Sequence, residues 1–440
     1  MKKLKNCRFL QDWQNKQILI LGFKREGKDN LLFLKKIFPK KIIGISDQNE
    51  DLKDKRIKNV EWNLGKGYLK NIKKYDIIIK SPGIKNEIVS PYLKKGAILT
   101  SQTEIFFHCY PGKIIGVTGT KGKGTVCSLI FQILKRAKKK VFLGGNIENP
   151  VLKYLFSAKK NDIFVYELSS HQLVNLKKSP SIAVFLNLFP AHLDFFKSFN
   201  SYKKAKANIC RWQKKEDFII YNSKDKNVKD IVKKSKAKKI AFDKKIKKFL
   251  KFLNPKKIRL KGYFNLLNIS AAICVAEIFK IKKETIKKAV EDFKGLPHRL
   301  EYVGRFRGID FYNDSQATVP EATIAAIDAF KDNLFTLITG GYNANVDYKK
   351  LIQKILKSNI KVLILFRPTG EIIFREIKKK LAIKIIFAKD MPEAVKLAFS
   401  LTPKNKICLL SPASPSFGLF QNYKERGECF KRLVKKYGKN

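Results

Sequence analysis

Residues 114–125 read IIGVTGTKGKGT, an apolar run followed by a turn rich in glycine. The run 114–117 predicts a buried strand, and residues 125–138 predict a helix. Glycines between a strand and a helix let backbone N–H groups approach phosphate oxygens, and the helix N-terminus adds partial positive charge. The segment therefore predicts a phosphate-binding loop, against the alternative of an ordinary glycine-rich turn before a helix.

The loop departs from the common G-x-x-x-x-G-K-[ST] pattern. Val117 occupies the first glycine position, Gly124 follows Lys123, and the hydroxyl comes one residue later, at Thr125. Lys123 can still reach terminal phosphates, and the Thr125 hydroxyl can still bind Mg²⁺. We therefore expect a variant of the usual loop.

Strand and helix patterns alternate on both sides of this loop, which is typical of an α/β fold with doubly wound sheets. Before the loop, we expect strands at 17–22, 42–46 and 75–79, with a helix at 29–38. After it, strands are expected at 141–143, 163–166 and 183–186, then at 308–312, 334–338, 362–366, 384–388 and 407–410. The length of 440 residues fits about three domains. We place them at 1–110, 111–298 and 299–440.

The composition excludes several classes of protein. The chain has 93 Lys+Arg and 37 Asp+Glu, a net charge of +56, but the lysines are spread along its whole length. This distribution predicts a solvated lysine-rich surface and no specific nucleic-acid partner. No apolar run reaches the ~18 residues that span a bilayer, so we expect no membrane insertion. Seven scattered cysteines without a C-x-x-C pair predict reduced thiols in a cytoplasmic protein.

Further motifs follow the loop in a fixed order, mostly where strands end or helices begin. They are YELSS (166–170), NLFPAHLD (187–194), YKKAK (202–206), GYFNLLN (262–268), LPHR (296–299), NDS (313–315) and LSPASPSF (410–417). The ordered set resembles the Mur ligase family of ATP-dependent amide ligases, across all three parts of the chain. Within it, the motifs are most similar to those of enzymes that add D-glutamate to UDP-N-acetylmuramoyl-L-alanine.

This resemblance implies a monomer with a Rossmann-like N-terminal domain, a central P-loop-type ATPase domain and a Rossmann-like C-terminal domain. It implies an acyl-phosphate mechanism in cytoplasmic peptidoglycan precursor synthesis, with ATP and Mg²⁺ as cofactors. Such chemistry needs charge neutralisation and alignment more than a protein nucleophile. The residues implied as catalytic are Lys123, His192 and Lys206, the last carrying CO₂ as a carbamate. Those implied for Mg²⁺ are Thr125, Glu167, His192 and carbamylated Lys206.

The resemblance also assigns the substrate sites. ATP would be bound by Gly119, Thr120, Lys121, Gly122, Lys123, Gly124, Thr125, Asn268, Arg299 and Asp314. The UDP-sugar would be bound by Gly22, Arg25, Glu26, Gly27, Asp47, Asn146, Ser169 and Gln172. For Asp47 and Lys206, the alternatives are a solvated turn and one more surface lysine.

The glutamate site departs from the family pattern. Thr318, Ser416 and Tyr423 match pocket positions, but Ala344 and Gln316 stand where D-glutamate ligases often carry lysines. We therefore favour D-glutamate and keep L-glutamate as an alternative. A folylpolyglutamate synthase is a remote alternative, disfavoured by the ~110 residues of strand–helix pattern before the phosphate loop. A nucleic-acid binder on an inactive ligase scaffold is disfavoured because Lys123, Glu167 and His192 are all present.

Overall fold

A computed structural model describes Leu4 and residues 7–147, 150–344, 346–377 and 383–439, without the side chain of Lys256. The chain forms two compact units. The first comprises Met1–Phe252 and Leu267–Ala289, and the second comprises Leu253–Leu266 and Val290–Asn440.

The first unit contains a five-stranded parallel sheet in the order β3-β2-β1-β4-β5. Its strands are β1 (Ile18–Leu21), β2 (Ile43–Asp47), β3 (Val60–Leu64), β4 (Ile77–Lys80) and β5 (Ile98–Thr100). Its helices are α1 (Arg8–Gln11), α2 (Arg25–Ile37), α3 (Asn86–Val89) and α4 (Gln102–Cys109). The strand order reverses between β1 and β4, and open α/β sheets bind ligands at such a switch point.

A second parallel sheet in the same unit has the order β11-β10-β9-β6-β8-β7. Its strands are β6 (Lys113–Thr118), β7 (Val141–Gly145), β8 (Ile163–Glu167), β9 (Ile182–Phe185), β10 (Phe218–Tyr221) and β11 (Lys238–Ala241). The helices here are α5 (Lys123–Arg136), α6 (Ser170–Leu173), α7 (Leu193–Phe196), α8 (Phe199–Arg211), α9 (Lys226–Lys233) and α10 (Ile246–Leu250), with most of α11 (Tyr263–Ile278) and of α12 (Lys283–Asp292). One hydrophobic core joins both sheets, with Phe106 of α4 packed against Phe164 of β8.

The second unit contains a sheet in the order β12-β13-β17-β14-β15-β16. Its strands are β12 (Glu301–Phe306), β13 (Ile309–Asn313), β14 (Leu334–Gly340), β15 (Val362–Phe366), β16 (Lys384–Phe387) and β17 (Ile407–Leu410). Its helices are α13 (Pro320–Phe330), α14 (Lys349–Leu356), α15 (Thr369–Ile377), α16 (Met391–Leu401) and α17 (Tyr423–Gly438). Separate apolar cores cover the two faces of this sheet.

The α/β class and the predicted strands are confirmed, with ends displaced by at most two residues. Strands β3, β5, β10, β11 and β12 were not predicted. β12 pairs antiparallel with β13 through a tight turn at Arg307 and Gly308, both with positive φ. No helix of the described residues is long and apolar enough to cross a membrane.

The prediction that all seven cysteines are reduced thiols is wrong for two of them. Cys7 and Cys109 form a disulfide, with Cα atoms 5.6 Å apart and a sequence separation of 102. The packing of α1 against α4 brings them together, and Phe9 stacks on His108 beside them at a centroid distance of 4.2 Å. Sequence spacing does not reveal a pair created by tertiary packing. Of the other five, four are buried.

Candidate active site

The predicted phosphate loop lies between β6 and α5, as the glycine pattern requires. Gly122 caps the N-terminus of α5 with φ of 87°, a left-handed conformation that favours glycine. A Cβ added there would lie 2.6 Å from Oδ1 of Asn268 on α11. The loop therefore needs glycine both for its backbone conformation and for the close approach of Asn268, which is buried.

Residues after β9 hold the loop in shape. Asn187 accepts a hydrogen bond from Lys121 N–H through Oδ1 (2.9 Å) and donates from Nδ2 to the Lys121 carbonyl (3.1 Å). The Thr120 hydroxyl lies 3.1 Å from the Phe189 carbonyl and 3.2 Å from the Tyr202 hydroxyl. Lys123 Nζ donates to the carbonyls of Gly119 (3.0 Å) and Thr120 (3.3 Å). The Lys123 ammonium is thus held over the loop itself, where a bound phosphate would meet it.

Lys206 is the most buried charged side chain near the loop, with 1% of its surface exposed. It extends from α8, and its Nζ donates to Thr118 Oγ1 and to the Gly119 carbonyl, both at 3.1 Å. Burial lowers the pKa of Lys206 well below its usual value, and the charge of Lys123 lowers it further while Glu167 opposes the shift. This shift favours the neutral form of the amine over the charged form.

Two of the residues predicted to bind metal, Glu167 and His192, lie within electrostatic range of Lys206. Thr125 and Glu167 are buried, and Glu167 Oε1 accepts a hydrogen bond from Asn146 Nδ2 at 2.7 Å. Burial lowers the pKa of His192, and the charges of Lys123 and Lys206 contribute, which places this imidazole in their field. The described residues contain no cluster of three or more His, Cys, Asp and Glu that could hold a metal.

The donor set nevertheless fits Mg²⁺ if Lys206 carries CO₂. Mg²⁺ prefers oxygen ligands, and this set offers one hydroxyl, one carboxylate, one carbamate and one imidazole. Without the carbamate only two anionic or imidazole ligands remain, and three lysines (Lys121, Lys123 and Lys206) add positive charge around His192. The fit to a dication therefore depends on conversion of Lys206 from a base to an anion.

In the first sheet, a glycine-containing loop follows β1, as the predicted phosphate loop follows β6 in the second sheet. Gly22 has φ of 91°, and a Cβ on Gly27 would lie 2.2 Å from the Gly22 carbonyl oxygen. The Asp47 carboxylate, predicted to bind the UDP-sugar, accepts hydrogen bonds from Phe23 N–H (2.6 Å) and Asn49 N–H (3.0 Å). Asp47 thus braces the loop in this structure, which is a structural role that the sequence did not predict.

A pocket of about 280 Å³ opens beside this loop at the switch point between β1 and β4. It brings together three of the predicted UDP-sugar residues, Arg25, Glu26 and Asn146. Its other lining residues are Lys24, Ser81, Pro82, Gln102, Gly145 and Pro150. Two cationic side chains at the pocket suit a diphosphate.

Two other residues predicted to bind the UDP-sugar, Ser169 and Gln172, form hydrogen bonds with each other, and Gln172 also bonds to Glu26. They form a capping box at the start of α6, and Gln172 Nε2 donates to Glu26 Oε1 at 3.0 Å. Burial raises the pKa of Glu26, and its buried Oε2 has no hydrogen-bond partner among the described residues. The structure therefore places Ser169 and Gln172 behind Glu26, where they orient it.

In the second unit, the loop after β13 carries the predicted ATP residue Asp314. Its Oδ1 accepts from Leu300 N–H (3.2 Å) and its Oδ2 from the Ser411 hydroxyl (2.9 Å). Arg299 Nε donates to Gln316 Oε1. Gln316, which stands where a lysine was expected, thus orients the Arg299 guanidinium.

Arg426 organises the predicted glutamate site and was not predicted from the sequence. Its buried guanidinium donates to the carbonyls of Ser315 (2.8 Å), Ser414 (3.1 Å) and Pro415 (3.1 Å). These bonds join the loop before Thr318, which is half-buried, to the loop that carries buried Ser416. Tyr423 joins the same assembly because its carbonyl accepts from the Ser315 hydroxyl at 2.8 Å. Burial lowers the pKa of Arg426 to about 10, so it stays charged at neutral pH.

The Arg426 contacts predict a large stability effect. Arg426→Leu leaves three carbonyls without a donor, and each unsatisfied buried group costs about 1–3 kcal/mol. We expect a loss of roughly 3 kcal/mol or more in the free energy of unfolding, measured by urea denaturation. Exposed Arg432→Leu on the same helix is the control and should change stability by less than ~0.5 kcal/mol. Equal stability of the two variants would contradict the role of Arg426.

Comparisons with known proteins agree with this architecture. The Mur ligase middle domain matches residues 117–276, and the Mur ligase, glutamate ligase domain matches residues 298–414. The chain is 34% identical over 403 residues to the UDP-N-acetylmuramoylalanine--D-glutamate ligase of Acetivibrio thermocellus, covering 86% of each chain. It is 33% identical over 428 residues to the protein of that name from Aquifex aeolicus, covering 95% of this chain and 98% of the relative.

Solved structures show the same fold. The MurF ligase from Thermotoga maritima in complex with ADP superposes with a TM-score of 0.60 at 16% identity, covering 95% of both chains. UDP-N-acetylmuramate-alanine ligase MurC from the same organism gives 0.56 at 17% identity, covering 96% of this chain and 99% of that one. Because two domain models and relatives above 30% identity cover most of its length, this chain belongs to the Mur ligase family.

Proposed function

We propose that this protein is an ATP-dependent ligase that joins D-glutamate to UDP-N-acetylmuramoyl-L-alanine in peptidoglycan precursor synthesis. The observation that carries the proposal is Lys206, a fully buried lysine held on a phosphate loop beside Glu167. Burying an amine is costly unless it is neutral or chemically converted, which favours a functional role for this residue. The names of the relatives from Acetivibrio thermocellus and Aquifex aeolicus support the substrates.

The first step proposed is transfer of the ATP γ-phosphoryl group. A carboxylate oxygen of the alanine end attacks the γ-phosphorus, a P–O bond forms, and ADP leaves with the electron pair of the broken P–O bond. Lys123 and the N–H groups of residues 119–125 neutralise charge on the phosphates and hold them in line. Asn268, Arg299 and Asp314 are further residues proposed to bind ATP.

Lys206 enters this proposal as a carbamate. Its neutral Nζ attacks the carbon of CO₂, an N–C bond forms, and one proton is released to solvent. The product is an anion that can bind Mg²⁺ together with Thr125, Glu167 and His192. When bound, Mg²⁺ would neutralise phosphate charge and orient the γ-phosphoryl group.

In the second step, the amine of glutamate attacks the acyl carbon of the acyl phosphate. An amide bond forms, inorganic phosphate leaves, and the amine loses a proton. Thr318, Ser416 and Tyr423 are the residues proposed to bind the glutamate. Gln316 and Ala344 supply no cation at the two positions where D-glutamate ligases often carry lysines, so L-glutamate is the second candidate acceptor.

The proposal is tested by the mass of the product. Purified protein is incubated with ATP, Mg²⁺ and UDP-N-acetylmuramoyl-L-alanine, with D-glutamate and L-glutamate in separate reactions. We expect an adduct with D-glutamate and one inorganic phosphate released per product. An adduct with L-glutamate alone would keep the chemistry and change the acceptor. An absence of product with either isomer would contradict the proposed function.

A further inference from the structure

One histidine beside the proposed metal site has no role in the mechanism above. His171 lies on α6, one residue from Gln172, and its ring contacts that of His192 edge to face. The two ring centroids are 5.1 Å apart and the ring planes are inclined by 78°. His171 is half-buried, whereas His192 is exposed.

His192 needs support from its surroundings because its backbone is strained. Its φ and ψ are 54° and 37°, in the left-handed region that side chains with a Cβ rarely adopt. It caps α7, a helix of only four residues, and Lys197 at the other end is also left-handed with φ of 58°. Such a conformation persists when neighbouring contacts enforce it.

Two aromatic rings, those of His171 and Tyr202, contact the ring of His192, and further rings pack on these two. His171 contacts the rings of Phe195 and Phe196 at centroid distances of 4.4 and 5.3 Å. Phe196 packs on Tyr202 at 5.4 Å, and Tyr202 lies 6.2 Å from His192. We call His171, Phe195, Phe196 and Tyr202 the aromatic box. Its members come from α6, α7 and α8, so the box joins three helices, and two of its rings contact the His192 imidazole.

The position of His171 within the box is itself fixed by hydrogen bonds. The capping box of Ser169 and Gln172 sets the start of α6, and Gln172 is bonded to Glu26. On the far side of α7, Lys85 Nζ donates to the Asp194 carbonyl at 2.8 Å and lies 5.6 Å from the Phe195 ring centroid. Contacts of α6 with Glu26 and of α7 with Lys85 therefore hold the aromatic box in place.

We infer that His171 is a positioning residue that holds the His192 imidazole in its metal-binding orientation through the edge-to-face ring contact. This inference rests on the proposed metal site. Residues that orient a metal-binding histidine usually do so through a hydrogen bond to its second nitrogen. Here the contact with the His171 ring orients His192 in place of such a hydrogen bond. The orientation of His192 should therefore depend on an aromatic ring at position 171 and not on the nitrogen atoms of that ring.

Three variants test whether the ring of His171 or its nitrogen atoms orient His192: His171→Phe, His171→Leu and His171→Ala. The control is His108→Ala, since His108 is also stacked on an aromatic ring, that of Phe9. Mn²⁺ alone is titrated into each protein in bicarbonate buffer, and free Mn²⁺ is measured by electron paramagnetic resonance. The Mg²⁺ concentration for half-maximal turnover and the melting temperature are measured in parallel.

We expect His171→Phe and His108→Ala to bind Mn²⁺ within about twofold of the parent protein. His171→Leu, which keeps volume but loses the ring, should bind Mn²⁺ about tenfold more weakly and need correspondingly more Mg²⁺. If His171→Ala does not fold, the comparison of Phe with Leu still decides.

Two results would overturn the inference. One is unchanged Mn²⁺ affinity in His171→Leu. The other is His171→Phe as weak as His171→Leu, which would make a ring nitrogen essential. Because Mn²⁺ binding needs neither acceptor, a parent protein that binds Mn²⁺ but makes no product would contradict the proposed function alone.

Discussion

Lys123→Ala should lower kcat/KM by about 1,000-fold or more, or about 4 kcal/mol of transition-state stabilisation. The ammonium of Lys123 lies over the phosphate loop, 3.0 Å from the Gly119 carbonyl, where it would face the transferred phosphoryl group. Charge develops on that group in the transition state, and a cation fixed beside it offsets this charge. The rate of inorganic phosphate release in the presence of all substrates measures the effect.

The control for this variant is Lys135→Ala, at the other end of the same helix α5 and exposed. It should keep activity within about twofold of the parent. Melting temperatures of both variants show whether the fold is kept. If Lys123→Ala retained turnover within a few-fold, the assignment of residues 119–125 as the ATP phosphate loop would be wrong.

Lys206→Ala should be almost inactive, with at least about a 100-fold loss of turnover, because it removes one proposed metal ligand. Burial lowers the pKa of Lys206, which favours the neutral amine that can react with CO₂. In ¹³C-bicarbonate, the parent protein should show a carbamate carbon signal by NMR, and Lys206→Ala should lack it.

Small carboxylic acids give this prediction its sharpest test. Acetate or formate can occupy the volume left by the lysine and supply an anionic oxygen, so partial recovery of activity is expected. Lys204→Ala is the matched control, since Lys204 lies on the same helix but is exposed. Undiminished activity of Lys206→Ala would rule out the carbamate, and failure of every acid to restore activity would weaken it.

Most of the fold could be predicted because buried parallel strands have continuous apolar sequences. Ile18–Leu21 and Val362–Phe366 are apolar at almost every position and were recognised. Val60–Leu64 and Lys238–Ala241 are only partly buried and carry polar residues, so their sequences resemble loops. The antiparallel strand Glu301–Phe306 is likewise amphipathic, and its pairing depends on the turn at Arg307 and Gly308.

The site was predictable where chemistry depends on local sequence. A phosphate loop is built from consecutive residues, so its glycines and Lys123 could be recognised directly. Arg426 and His171 were missed because their roles depend on partners far away in sequence. Arg426 binds Ser315, 111 residues earlier, and one buried arginine in a chain with 93 basic residues gives no local signal.

By itself, the sequence determined the α/β class, the position of the glycine-rich loop between β6 and α5, and the family motifs, because each is encoded by residues close together in the chain. Only the tertiary structure decided that Lys206 is buried against Gly119, that Cys7 pairs with Cys109, and that Asp47 braces the Gly22 loop. The physical reason is that burial and long-range pairing alter a side chain's pKa, partners and reactivity. These depend on the neighbours that folding supplies, which the local sequence does not contain.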